Sequence, residues 1–238
     1  MSVRPQIGLQ LYTVRDELER DRDGTLRTIA SLGYDGVELF GPVDAQAMRA
    51  ALDDLGLAVA GRHISLDADI EVLAEEARTL GCNRVALGWI DQVATTDERD
   101  DAVARITALA QRARAAGLDF GFHNHWSEVP ALDDGVSLLA LLPAWIWLEI
   151  DLGWAWWAGT SPLELLEWAR GRTPLVHVKD LRARGTREFV PVGDGAVGYD
   201  GIVDKAADLG IEWLLVEQDE LDRELAEALD RSLKALVA

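Results

Sequence analysis

The chain has one cysteine, Cys82. No intramolecular disulfide can form, and a disulfide-framed secreted scaffold is excluded. Cys82 stands in "LGCNRVAL", between a helical pattern and an apolar run, and reads as buried and inert. No apolar run approaches the ~20 residues that cross a bilayer. The opening "MSVRPQIGLQ" lacks the apolar stretch of a signal peptide, so a reducing cytoplasm is the expected location. Positive charge is also scarce: 23 Lys and Arg face 42 Asp and Glu, for a net charge of −19. Nucleic acid and anionic membranes need a basic face and are not expected partners. No Pro/Gly/Ser-rich linker divides the chain, and no glycine-rich phosphate fingerprint follows its first apolar run, where "QLYTVRDELERD" stands instead.

What is present is a recurring beat. Short apolar runs span residues 7–14, 36–41, 58–64, 84–90, 119–125, 147–154, 174–180 and 213–219. Runs this short and apolar read as strands buried on both faces, as a parallel sheet requires. Between them lie segments with apolar residues at three- and four-residue spacing. Many end in glycine: Gly33, Gly56, Gly81, Gly117 and Gly210. Glycine after a last helical turn takes the left-handed conformation at little cost. One repeated strand–helix unit follows. Eight such units with right-handed crossovers leave a closed barrel or an open doubly wound sheet. The count and the missing fingerprint favour a single (β/α)8 barrel over residues 1–238.

In such a barrel the chemistry sits at the C-terminal ends of the strands. All 4 histidines, His63, His123, His125 and His177, fall at or near those ends. So do Glu38, Glu149, Asp151, Glu217 and Asp219. Side chains two apart on a strand share a face. That pairs His123 with His125, Glu149 with Asp151, His177 with Lys179, and Glu217 with Asp219. Inward charge is costly unless it is paired or binds a metal. Mixed carboxylate and imidazole donors suit Mn²⁺, Zn²⁺, Co²⁺ or Mg²⁺. Ordinary uses also exist. His63 reads equally as a core histidine, Asp151 as a turn cap, and Lys179 with Asp180 as a surface ion pair.

Tryptophan is abundant, 9 against 4 Phe and 3 Tyr. Trp89, Trp126, Trp154, Trp156 and Trp157 end or follow strands, where indole faces can stack on the C–H side of a sugar. Trp145, Trp147, Trp168 and Trp213 read as core or helix-packing residues.

At these residues the chain resembles the xylose-isomerase-like sugar phosphate isomerase/epimerase superfamily, which includes inosose dehydratases and ketose epimerases. "FHNHWSE" resembles the "YHNHxxEF" signature of one branch, and "EIDLGWAWWAGTSP" its "ExDxYWxxxAGxDP". "VHVKD", "PVGDGAVGYDGIV" and "VEQD" follow in order. The resemblance implies one divalent metal held by Asp151, His177 and Glu217, with His123 or Glu128 completing the set. His123 stands where many relatives carry a glutamate.

The expected reaction is isomerisation or epimerisation of a sugar or keto-polyol through an enediolate. Glu217, His123 or His125 would move the proton, and Lys179 would support the oxyanion. Glu38, His63, Arg15, Trp89, Asn124, Trp126 and Trp154 would hold the substrate. Dehydration of the inosose dehydratase type, an endonuclease-like metal hydrolase or a non-catalytic sugar-binding barrel are the alternatives. A homo-oligomer is left open, and Arg182, Arg184 and Arg187 are the candidates for holding a phosphate.

Overall fold

The computed structural model describes residues 4–237. Strand β1 (Gln6–Gln10) runs through a 3-10 turn (Leu11–Val14) into α1 (Arg15–Leu32). Then follow β2 (Gly36–Leu39), α2 (Ala45–Leu55), β3 (Ala58–Ile64), α3 (Ile70–Leu80), β4 (Arg84–Leu87) and α4 (Thr96–Ala115). The second half contains β5 (Asp119–His123), α5 (Leu138–Leu141), β6 (Trp147–Asp151), α6 (Leu152–Trp157) and α7 (Pro162–Trp168). It closes with β7 (Leu175–Val178), β8 (Asp180–Leu181), β9 (Phe189–Val190), α8 (Ile202–Leu209), β10 (Trp213–Val216) and α9 (Leu225–Val237). Eight parallel strands close a barrel in the order β1-β10-β7-β6-β5-β4-β3-β2. This is the (β/α)8 architecture. The two-residue strands β8 and β9 pair antiparallel as a ribbon outside the barrel wall.

Local chemistry explains the helix ends. Asp44 and Asp69 accept backbone N–H bonds at the starts of α2 and α3, and Thr95 with Glu98 forms a reciprocal capping box on α4. Gly33, Gly56, Gly81 and Gly210 close α1, α2, α3 and α8 with positive φ. Helix α4 instead ends on Ala116, and Gly117 takes the left-handed turn one residue later.

Several strands are shorter than their apolar runs suggest. Regular pairing stops at Leu87, His123, Asp151, Val178 and Val216. Past these points the chain leaves the ladder and turns over the barrel mouth. Asp151 illustrates this by accepting from Trp154 N as the cap of α6.

Strand parity sorts the barrel interior into layers. Leu148, Ile150, Val176, Val178, Leu214 and Val216 point outward and join the large core beneath the helices. Their neighbours point inward. Trp147, Leu175, Trp213 and Leu215, with Ala60 and Ala86, form a separate apolar cluster that fills the lower barrel. The next inward positions on the same strands are Glu149 and Asp151, His177 and Lys179, and Glu217. An apolar floor thus carries an ionisable layer. Trp147 and Trp213 do serve as core residues, whereas Trp145 and Trp168 are 40% and 51% exposed. Those two sit on outer segments whose inward faces are already filled by neighbouring leucines such as Leu142 and Leu165.

The floor leaves no spare volume at Gly121, where a Cβ would meet the Trp147 ring at 2.3 Å. Overpacking of this kind costs about 1–3 kcal/mol. Gly121→Ala should therefore lower the melting temperature by several degrees in a calorimetric scan. An unchanged transition would show that the indole has room to move.

Candidate active site

Glu149 of β6 lies at the centre of the ionisable layer. Its Oε2 is 2.6 Å from His63 Nε2 and 3.3 Å from His123 Nδ1, while Oε1 is 3.5 Å from His177 Nε2. Glu38 of β2 lies alongside, with Oε2 2.7 Å from His177 Nε2 and accepting from Gln10 Nε2 at 2.7 Å. Small residues make space for this network. A Cβ on Gly88 would fall 2.6 Å from His63 Nδ1, and one on Gly61 3.2 Å from Glu38 Oε1.

Toward the mouth, His177 Nδ1 meets Glu217 Oε2 at 2.9 Å. The Lys179 ammonium sits among three carboxylates, 2.7 Å from Asp219, 2.9 Å from Glu217 and 3.3 Å from Asp151. It also lies 4.9 Å from the centre of the Trp154 ring. Lys179 and Asp180 are both buried and do not pair with one another, contrary to a surface ion pair. The Asp180 carboxylate instead accepts the backbone N–H groups of Gly193, Gly195 and Val197 and fixes the "GDG" loop.

These groups set one another's charge. Burial pulls the His177 pKa down, but Glu149 and Glu217 outweigh it and hold it well above the usual value. Burial likewise disfavours charge on Lys179, yet Asp151, Asp219 and Glu217 keep it an ammonium. Glu217 stays well below the ordinary carboxylate range, because Lys179 and His177 overcome its desolvation. Burial, reinforced by the charge on Glu149, pushes Glu38 up to about 7. Burial raises Asp151 to about 6, with Lys179 opposing. His123 goes the other way: burial, then the charge on His177, pushes it down to about 3. Its imidazole is neutral, the form that can ligate a metal.

The residues present fit a divalent cation. His123, Asp151, His177 and Glu217 each offer a donor atom, all within 4.8 Å of one another. His63, His123, Glu149 and His177 form a second such group that shares two members with the first. His123 Nδ1 and Asp151 Oδ2 are buried and make no well-aligned hydrogen bond, although Glu149 Oε2 and Lys179 Nζ each approach to 3.3 Å. Polar atoms this weakly engaged are costly at such depth, and an ion would satisfy them.

A cavity of about 760 Å³ opens above these groups. Glu217, His123, His125, Lys179 and Asp219 reach it from the floor, and Trp89, Trp126 and Trp154 line one side.

The family of xylose isomerase-like TIM barrels matches residues 26–236. The chain belongs to that family. It is 27% identical to the rhizopine catabolism protein MocC of Rhizobium meliloti, over 92% of this chain and 82% of that protein. It is 25% identical to an inosose dehydratase of Geobacillus kaustophilus (strain HTA426), over 84% of this chain and 80% of the relative. A solved sugar phosphate isomerase/epimerase from Parabacteroides distasonis ATCC 8503 shares the fold, with a TM-score of 0.82 at 20% identity and coverage of 98% of both chains.

Within this xylose isomerase-like barrel the residues singled out from sequence fall into two groups. His63, Trp89, Trp126 and Trp154 line the cavity. Glu38, Asn124 and Arg15 do not. Glu38 is buried beneath His177. Asn124 is buried and bridges strands, accepting from Asp151 N and donating to His125 O. Arg15 donates to the Tyr12 and Asp219 carbonyls. Glu128 also stands apart from the converging donors, because its carboxylate accepts from His125 N and Ser127 Oγ within its own turn. Arg99 steadies the loop that carries this turn by reaching Asp134 and the Val136 carbonyl.

Glu149 and Asp219 were visible as strand-end carboxylates, but neither stood out as a site residue. Parity identified Glu149 as inward-facing, and only the closed barrel reveals that three imidazoles converge on it. Asp180 should behave as a buried anchor. Asp180→Ala strands four amides, those of Leu181, Gly193, Gly195 and Val197, and a hydrogen bond to a charged group contributes about 1.5–3 kcal/mol. Urea unfolding should show a loss of this order, with faster hydrogen exchange at Gly193, Gly195 and Val197. Unchanged exchange there would contradict the anchoring role.

Proposed function

We propose that the protein is a divalent-metal-dependent isomerase or epimerase acting on a sugar or keto-polyol through an enediolate. One observation carries the reading: a neutral imidazole, a second imidazole and two carboxylates, His123, His177, Asp151 and Glu217, converge beneath an open cavity of about 760 Å³. One Mn²⁺, Zn²⁺, Co²⁺ or Mg²⁺ held by these four would polarise a substrate carbonyl and acidify the adjacent C–H.

The chain's own groups do the rest. With both ring nitrogens facing carboxylates, Glu217 at Nδ1 and Glu38 at Nε2, His177 is held protonated. It would give up one proton on taking an ion, and the carboxylate left at its other nitrogen would orient the ring. Two groups facing the cavity can accept the α-proton. One is the Glu217 carboxylate. The other is His125, whose burial keeps it neutral. The proton returns to a neighbouring carbon or to the opposite face. Lys179, held as an ammonium, faces the oxyanion that develops. His63 offers a polar contact at the cavity wall. Trp89, Trp126 and Trp154 cover the apolar face of the sugar and exclude water. A small, soluble substrate of this kind suits a cytoplasmic enzyme of carbohydrate metabolism.

Dehydration is a second reading, favoured by the similarity to an inosose dehydratase. It begins with the same proton abstraction and ends with loss of a β-hydroxyl, to which the Lys179 ammonium can supply a proton.

Two measurements test the reading. Asp151→Ala and His177→Ala should each abolish metal retention, measured by elemental analysis after gel filtration. Full occupancy in those variants would remove the assignment. Wild-type protein incubated in D₂O with a panel of ketoses and inososes should wash deuterium into the α-position, and a chelator should stop it. Absence of exchange across the whole panel would defeat the enzymatic reading.

A further inference from the structure

Three cationic side chains line the cavity: Arg62, Lys179 and Arg187. Two of them are occupied. Arg62 is paired with Glu76 and donates to the Gly41 carbonyl. Lys179 is enclosed by Asp151, Glu217 and Asp219. Arg187 differs. Among the described residues it has neither a hydrogen-bond partner nor an acidic partner, in a chain with 42 acidic residues. Its guanidinium carbon instead lies 4.6 Å from the centre of the Trp126 ring and 5.6 Å from that of Trp154. The exposed guanidinium thus rests against two indoles, and no protein acceptor takes its N–H groups among the described residues.

This placement is built. Arg187 lies in the turn between β8 and β9. Arg182 N donates to the Glu188 carbonyl at 2.9 Å across the base of that turn. Trp157 Nε1 donates to the Thr186 carbonyl at 2.9 Å, which fastens the residue just before Arg187 to α6. The neighbouring arginines are used elsewhere. Arg182 pairs with Glu188, Arg184 lies over Trp156, and neither lines the cavity.

We infer that Arg187 makes the site selective for a substrate carrying an anionic group, a carboxylate or a phosphate, at the end away from the reacting carbon. The inference rests on the reading of this cavity as a sugar site. A planar fork with free N–H groups matches both anions in bidentate fashion. Of the four acids lining the cavity, Glu217 and Asp219 are held by Lys179, Glu76 by Arg62, and Asp69 caps α3, so none pairs with this arginine. Lys179 and Arg187 flank the same indole, Trp154, at 4.9 and 5.6 Å from its centre. Both cations line the same cavity, so a substrate whose reacting end lies over the floor near Lys179 would turn its other end toward the rim that carries Arg187.

The test uses fructose, fructose 6-phosphate and fructuronate as probes, at fixed ionic strength, with binding read by indole fluorescence and calorimetry. Wild-type protein should bind at least one of the two anionic ketoses about tenfold more tightly than fructose. Arg187→Met should bring that affinity to within about twofold of fructose, whose own affinity stays level, with an unchanged melting temperature. Arg187→Lys should keep part of the preference, because charge remains while the fork is lost. If phosphate alone is preferred, the anion is a phosphate ester; if fructuronate alone, a sugar acid. The inference is overturned if wild-type protein binds neither anionic ketose more tightly than fructose, or if Arg187→Met keeps the preference. Binding is read without turnover, so the two readings fail separately. Discrimination without deuterium exchange keeps the Arg187 assignment and removes the isomerase reading; exchange without discrimination does the reverse.

Discussion

Burying ionised groups in the middle of a barrel is the constraint around which this molecule is organised. An isolated buried carboxylate or ammonium would neutralise itself or unfold its surroundings. Here each charge is held by opposite charge at short range. Glu149 is surrounded by His63, His123 and His177, and Lys179 by Asp151, Glu217 and Asp219. The compensation is incomplete. Glu38 and Asp151 are pushed up to about 7 and about 6, and His123 Nδ1 and Asp151 Oδ2 make no well-aligned hydrogen bond. The network is satisfied enough to fold yet retains capacity for one more cation.

The apolar floor makes that arrangement affordable. Trp147 and Trp213 fill the lower barrel, and Gly121 gives way to the indole of Trp147. Water is thereby kept from the polar layer except through the mouth. Above it, Trp126 and Trp154 form a wall that is apolar toward a sugar face and cationic at the Arg187 end. The site can distinguish the two ends of a polyol while its chemistry stays at the floor.

Much of this was legible in the sequence, because strand periodicity is two and barrels place function at one end. "WLEID", "PLVHVKD" and "WLLVEQD" each read apolar, then ionisable, on one face. That pattern anticipated both the barrel and the layer that gathers His123, Asp151, His177 and Glu217. Other features were hidden, because they arise from contacts between strands far apart in the chain. Nothing local marks Glu149 as the meeting point of three imidazoles or Glu38 as a support for His177. Nothing local shows that Asn124 bridges strands or that Glu128 closes its own turn. The strand ends were overrun for a related reason: the apolar pattern continues into loops that pack over the mouth. Arg187 resembled a solvated loop residue until the ribbon placed it on two indoles.

The most direct test of the convergent donor set is pulsed electron paramagnetic resonance on protein loaded with Mn²⁺. If His123 and His177 share the ion with Asp151 and Glu217, the spectrum should contain two directly coordinated imidazole nitrogens, and His123→Ala should leave one. A Mn²⁺ signal with no bound nitrogen, or one unchanged by that substitution, would contradict the account.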